Sequence, residues 1–186
     1  YTIFNPDELA QSLDGLRDRS YEAKARLLRE SYWRPEVAVG VRDLLGTGAW
    51  EAEYLVGSKQ IGAFDVSLGL GWGRLAEAGG FANPLGVLAD KFKTRPSTGE
   101  GVENGGQFRS RSWFRGDVGL FGGVYYRPPS SKFSALLEYN SDAYNREAAL
   151  KSVDSPSPMN LAIVWKPVTN LSLKLAWLRG DTLGFS

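Results

Sequence analysis

Glu51 and Glu53 stand two residues apart in Trp50-Glu-Ala-Glu-Tyr-Leu-Val56, a spacing that puts both carboxylates on one side of an extended strand. Two carboxylates held roughly 5 to 10 Å apart are the raw material of glycoside hydrolysis. The other charged residues that alternate with apolar ones are Arg42, Asp65, Asp117, Arg127, Glu138 and Lys174. No substrate-positioning motif accompanies them, and nothing nearby would keep one acid protonated, so the chain reads as a non-enzyme. A hairpin turning through Gly46-Thr47 places Arg42 across from Glu51, which makes ion pairing the first role of these charges. The sequence has no Cys and no His, which removes disulfides, thiolate chemistry, the common zinc sites and histidine-based triads; no metal or cofactor is implied.

The elements that must position these charges are strands. In Phe64-Asp-Val-Ser-Leu-Gly-Leu-Gly-Trp72 large apolar residues alternate without a break with Asp65, Ser67, Gly69 and Gly71. The same period recurs in Val118/Leu120/Val124/Tyr126, Phe133/Ala135/Leu137/Tyr139, Leu161/Ile163/Trp165 and Leu171/Leu173/Leu175/Trp177, and in Trp50/Ala52/Tyr54/Val56 against Glu51 and Glu53. Repeated two-residue alternation over segments of about ten residues is the signature of an all-β, antiparallel, up-and-down transmembrane β-barrel, apolar outside and polar inside. On that reading Arg42, Glu51, Glu53, Asp65, Asp117, Arg127, Glu138 and Lys174 line the lumen. The outward aromatics fall into two girdles at the membrane interfaces, Trp50, Trp72, Tyr139 and Trp177 toward one end, Phe64, Tyr126, Phe133 and Trp165 toward the other.

Asn5-Pro-Asp-Glu-Leu has a cap, an early Pro and acids, and Leu9, Leu13 and Leu16 share a helical face, so residues 1–19 read as a short helix and linker. Residues 20–186 form the barrel segment, with long loops at about 74–106 and 141–158 and a helical turn between Pro84 and Phe92. Local propensity at Tyr21 to Glu30 favours helix. With a strand there, about eight consecutive strands result and the connections sort by parity, short turns at one end and long loops at the other, as in outer-membrane barrels. That asymmetry decides for strand.

Charges nearly cancel, 22 Lys+Arg against 21 Asp+Glu, and no basic block gives nucleic acid an electrostatic footing. No apolar run approaches the length of a membrane helix, which leaves a barrel as the spanning option. The segment reads as part of a larger mature protein. A porin-like channel and a soluble β-sandwich that binds carbohydrate are the competing readings.

Asp18-Arg-Ser-Tyr-Glu-Ala-Lys24, Pro35-Glu-Val-Ala-Val-Gly-Val-Arg-Asp43, Gly46-Thr-Gly48, Glu53-Tyr-Leu-Val56, Ser58-Lys59 and Leu68-Gly-Leu-Gly-Trp-Gly73 resemble the YjbH/GfcD family of Gram-negative outer-membrane proteins. So do Asn83-Pro84, Phe121-Gly-Gly123, Glu138-Tyr139, Tyr144 to Glu147, Ser157-Pro158 and Arg179-Gly180. The resemblance implies a barrel in the cell outer membrane that serves exopolysaccharide or capsule biosynthesis and export. Its partners would be the lipid bilayer, polysaccharide and periplasmic export proteins. It implies no catalytic residues.

Overall fold

The computed structural model describes residues 20–46, 48, 50–96, 108, 110–145 and 157–186. The helix expected near Asn5 lies outside them. Nine strands form one antiparallel sheet in strict chain order: β1 Ala23–Leu28, β2 Glu36–Arg42, β3 Ala52–Ile61, β4 Phe64–Gly73, β5 Gly119–Tyr126, β6 Phe133–Tyr139, β7 Met159–Val168, β8 Leu171–Leu178 and β9 Thr182–Phe185. β1 confirms the strand that connection parity requires; pairing with β2 overrides the helical propensity of Ala, Lys, Arg and Leu. β9 is an addition, made when Arg179 and Gly180, both at positive φ, fold the chain back onto β8. The meander is the expected up-and-down topology. The sheet does not close on itself: among the described residues β1 pairs only with β2 and β9 only with β8.

The cross-strand register defines two faces. One carries the row Val39, Leu55, Leu70, Leu120 and the row Val66, Val124, Leu137, Leu161, Trp177, Leu183. Next comes Ile61, Phe64, Tyr126, Ala135, Ile163, Leu175, Phe185. Large side chains there are exposed, Leu68 by 64%. The other face carries Ala38, Gly40, Gly69, Gly71, Ser134, Ala162 and Ala176, all buried. Ala162 and Ala176 are buried among modest neighbours, whereas Ala135 stays half-buried beside Phe133 and Ile163 on the first face. A sheet curled toward its small-residue side produces this asymmetry, so that side is concave and the apolar side convex.

Long-loop segments cover the β3–β5 end of the sheet. Three 3-10 turns, Arg74–Ala76, Pro84–Val87 and Asp90–Phe92, occupy the first loop, two of them within the expected helical stretch. Asn83 organises it by accepting from Leu85 N–H and donating to the carbonyls of Phe92 and Phe114. No described helix is long and apolar enough to cross a membrane.

Glycine is required where backbones meet. A Cβ on Gly119 would strike the Leu75 carbonyl and the Ser141 hydroxyl, so β5 and the first 3-10 turn could not stay in contact. A Cβ on Gly57 meets nothing nearer than 3.9 Å. Gly119→Ala should therefore destabilise by about 1–3 kcal/mol through overpacking, and Gly57→Ala should change stability by less than about 0.5 kcal/mol. Denaturant unfolding of the two variants checks the contrast.

Candidate functional site

The concave face gathers the polar chemistry. Glu36, Ser58, Ser67, Gly123, Glu138 and Asn160 are successive cross-strand partners from β2 to β7, and Gln60, Asp65 and Tyr125 form the adjacent row. Ser58 and Ser67 hydroxyls lie 2.8 Å apart, and the Tyr125 and Ser134 hydroxyls 2.9 Å apart. Three rings lie among them. Tyr54 occupies the space a side chain at Gly40 would take, and Phe121 that at Gly69, an arrangement in which an aromatic covers a glycine across the strand. The two rings meet edge to face at 6.1 Å. Arg42 stands 5.8 Å from the Tyr54 ring and Arg127 5.4 Å from the Tyr125 ring. Hydroxyls, amide, carboxylates and ring faces together, with both signs of charge, suit a hydrated, polyhydroxylated ligand better than an ion of one sign.

Of the eight residues expected at this face, Arg42, Asp65, Glu138 and Lys174 share it by register. Asp117 is exposed just before β5 and Arg127 just after it. Glu51 and Glu53 are a correction. Glu53 is the cross-strand partner of Val41 and Trp72 on the convex side, and Arg42 faces Ala52, not Glu51; its ion-pair partner is Glu22 at 3.4 Å. Ala52, Tyr54 and Val56 correspondingly turn inward. Both parities of β3 are half apolar, and the Val39–Leu55–Leu70–Leu120 row settles which one joins the apolar face.

A charge on that face needs a partner, and the first long loop supplies it. Arg95 Nη1 donates to Glu53 Oε2 at 2.8 Å, and its Nη2 to Glu53 Oε1 and Glu51 Oε2, each at 2.9 Å. Ser112 Oγ donates to Glu51 Oε1 at 2.7 Å and Phe114 N–H to Glu53 Oε2 at 3.0 Å. Burial disfavours the Arg95 cation, but Glu53 and then Glu51 outweigh it and hold the guanidinium above its ordinary range. Glu53 has no exposed surface, and the carboxylate pair clamps the loop to the sheet through Arg95. A second clamp joins the two long loops: Arg74 donates through Nε and Nη2 to Asp142, both at 3.0 Å, and lies 4.4 Å over the Trp50 ring. Tyr144 beside it is pushed up, chiefly by burial and then by Asp142.

The expected girdles divide. Phe64 and Tyr126 pack at 4.8 Å, Phe133 and Trp165 stack at 6.0 Å, and all four are exposed on the convex side near the short turns. Tyr139 and Trp177 are exposed on the same side nearer the long loops. Trp72 is on that side but only 3% exposed, because Phe114 packs edge-on against it at 5.1 Å. Trp50 precedes β3 and is half-buried under Arg74. These two are corrections: loop residues cover them. Tyr54, expected on the outward face with Trp50, Ala52 and Val56, turns inward, and Phe121 and Tyr125 had no place in the expected site, although Gly40 and Gly69 on neighbouring strands signal seats for rings. Arg95 had no local signal.

A family model described as "Exopolysaccharide biosynthesis protein YbjH" matches residues 2–186. Over 169 residues the chain is 38% identical to "Uncharacterized lipoprotein YjbH" of Escherichia coli (strain K12), covering 91% of this chain and 24% of the relative. The chain thus spans about a quarter of that relative's length. No solved structure matches.

Arg95→Ala strands two buried carboxylates and should cost about 3–5 kcal/mol. Limited proteolysis should then cut within residues 74–118 of the variant under conditions that leave the parent protein intact. Unchanged resistance would show that the clamp does not hold the loop.

Proposed function

Because the chain belongs to the YjbH family of exopolysaccharide biosynthesis proteins, we propose that it is a wall segment of an outer-membrane β-barrel in that process. The concave face would line a passage or holding site for hydrated polysaccharide. The role is non-enzymatic, and the bilayer and the polysaccharide are the partners.

One observation carries the membrane part. Across the paired registers of the convex face only Glu53 and Lys59 are charged; they sit toward opposite ends of β3, and each is engaged, Glu53 by Arg95 and Lys59 by Glu30 at 3.2 Å. The band between them is apolar and exposed, too broad for a solvent-facing sheet. β3, β4 and β7 have 10 residues each, roughly 33 Å of strand, which at a tilt of about 40° spans about 25 Å, the height of a barrel's apolar belt. A relative named as a lipoprotein fits an envelope location. The open edges of β1 and β9 fit a segment whose closing strands come from elsewhere in a longer chain.

The polysaccharide part rests on the concave face. Its side chains pair hydroxyls and rings without a dominant charge, and passage of a sugar needs replaceable hydrogen bonds more than a fixed ion.

Full-length protein should fractionate with detergent-extracted outer membrane and show heat-modifiable gel mobility. Leu68→Arg, a cation amid the belt, should cost about 2–4 kcal/mol and deplete the folded form. Recovery as a soluble monomer without detergent would overturn the barrel. With the barrel intact, the triple variant Asp65→Asn, Glu138→Gln, Lys174→Ala should lower surface polysaccharide several-fold; full export would remove the concave face from the mechanism.

A further inference from the structure

At the short-turn end, between the β1–β2 and β3–β4 turns, Glu30, Ser31, Tyr32, Trp33 and Lys59–Gly62 line an open groove of about 640 Å³. Binding sites for small molecules occupy about 300–1,000 Å³. Tyr32 and Trp33 are 82% and 89% exposed, and their rings meet edge to face at 4.6 Å and 86°. Two perpendicular planes make a corner, with one ring face free as a platform and the other as a wall.

The polar side of the groove is held in place. Gln60 N–H donates to Glu30 Oε1 at 3.1 Å, Lys59 pairs with the same oxygen, and the Lys59 ammonium also donates to the Ser31 carbonyl. The Gln60 N–H and then Lys59 keep the Glu30 carboxyl below its ordinary range. The ion pair is therefore internally balanced. Arg29 and Arg34 flank the turn without lining the groove.

We propose that this groove is a glycan-binding subsite, in which a neutral pyranose stacks on Trp33 against Tyr32 and hydrogen-bonds Glu30, Lys59 and Gln60. The axial C–H groups of a pyranose form an apolar patch that packs on an indole face, while its hydroxyls suit a balanced carboxylate and ammonium. The one cation among the lining residues, Lys59, is already paired with Glu30, which leaves a phosphate headgroup no free cation within the groove. The groove lies at the rim between the two faces: Lys59 and Ile61 pair with Val66 and Phe64 of the convex rows, while Gln60 is the partner of Asp65 on the concave side, and Asp65 of Tyr125. A sugar held here stands at the entrance to that surface. The position of the groove at the periplasmic side rests on the barrel reading; its ligand chemistry does not.

The test uses full-length protein in detergent and, as probe, neutral oligosaccharides released by partial hydrolysis of the producing strain's exopolysaccharide. Tryptophan fluorescence titration should give saturable binding, weakened tenfold or more by Trp33→Ala and restored to within a few-fold by Trp33→Tyr. Trp33 is a surface residue, and a far-UV circular dichroism spectrum matching the parent protein's checks that each variant is folded. Unchanged affinity in Trp33→Ala overturns the proposal. Absence of saturable oligosaccharide binding overturns it too, and brominated-lipid quenching that is lost in Trp33→Ala then assigns the corner to headgroups. Trp33-dependent binding by a protein that lacks heat-modifiable mobility supports the subsite while removing the barrel.

Discussion

A carboxylate on an apolar face governs the loop end of this protein. Side chains alternate strictly along a strand, so once Leu55 joins Val39, Leu70 and Leu120, Glu53 two residues away must occupy the same side. Leaving it unpaired there would be costly. Arg95 answers that demand from 42 residues downstream, and the same two carboxylates also accept from Ser112 and Phe114. Trp72 is covered as a result, and Gly73, at positive φ with the Glu51 carbonyl and then Arg95 against it, must stay without a side chain. The architecture of the loops is thus a response to one position in the register of β3.

The concave side is governed by space. Rings lie down on the sheet only where the neighbouring strand has no side chain, and Gly40 and Gly69 provide that for Tyr54 and Phe121. Small residues elsewhere on this side let the strands curl without crowding. The same choice leaves hydroxyls and ring faces, rather than long aliphatic chains, at the surface. Curvature and sugar-compatible chemistry have a common origin in side-chain size.

Most strands were legible because β4 and β8 alternate between a large apolar and a small or polar residue, and β5 and β6 keep that period on most of one face although Phe121, Tyr125 and Leu136 interrupt it on the other. β1 was legible only through its neighbours: its own residues favour helix, and the parity of the connections required a strand. β3 was legible as a strand but not in its facing, since Tyr54 and Leu55 are both plausible outward residues and only the pairing with β2 and β4 separates them. That single inversion moved Glu51 and Glu53 out of the candidate site and Tyr54 into it. The clamps were illegible for a different reason. Arg95 and Asp142 act on residues 42 and 68 positions away, and no periodicity encodes a contact of that reach. β9 follows from two left-handed residues, Arg179 and Gly180, of which only the glycine is a turn signal by itself.

Strict chain-order pairing also sets how the sheet can assemble. Each strand needs only the one before it, so the chain can zip hairpin by hairpin, with the larger loop-closure entropy confined to the β4–β5 and β6–β7 connections. Every intermediate then ends in an unsatisfied backbone edge, which templates the next strand to emerge. The two arginine clamps are the exceptions: they join distant stretches and can form only after the strands beneath them are in register. They act late, as latches on a structure that local pairing has already built.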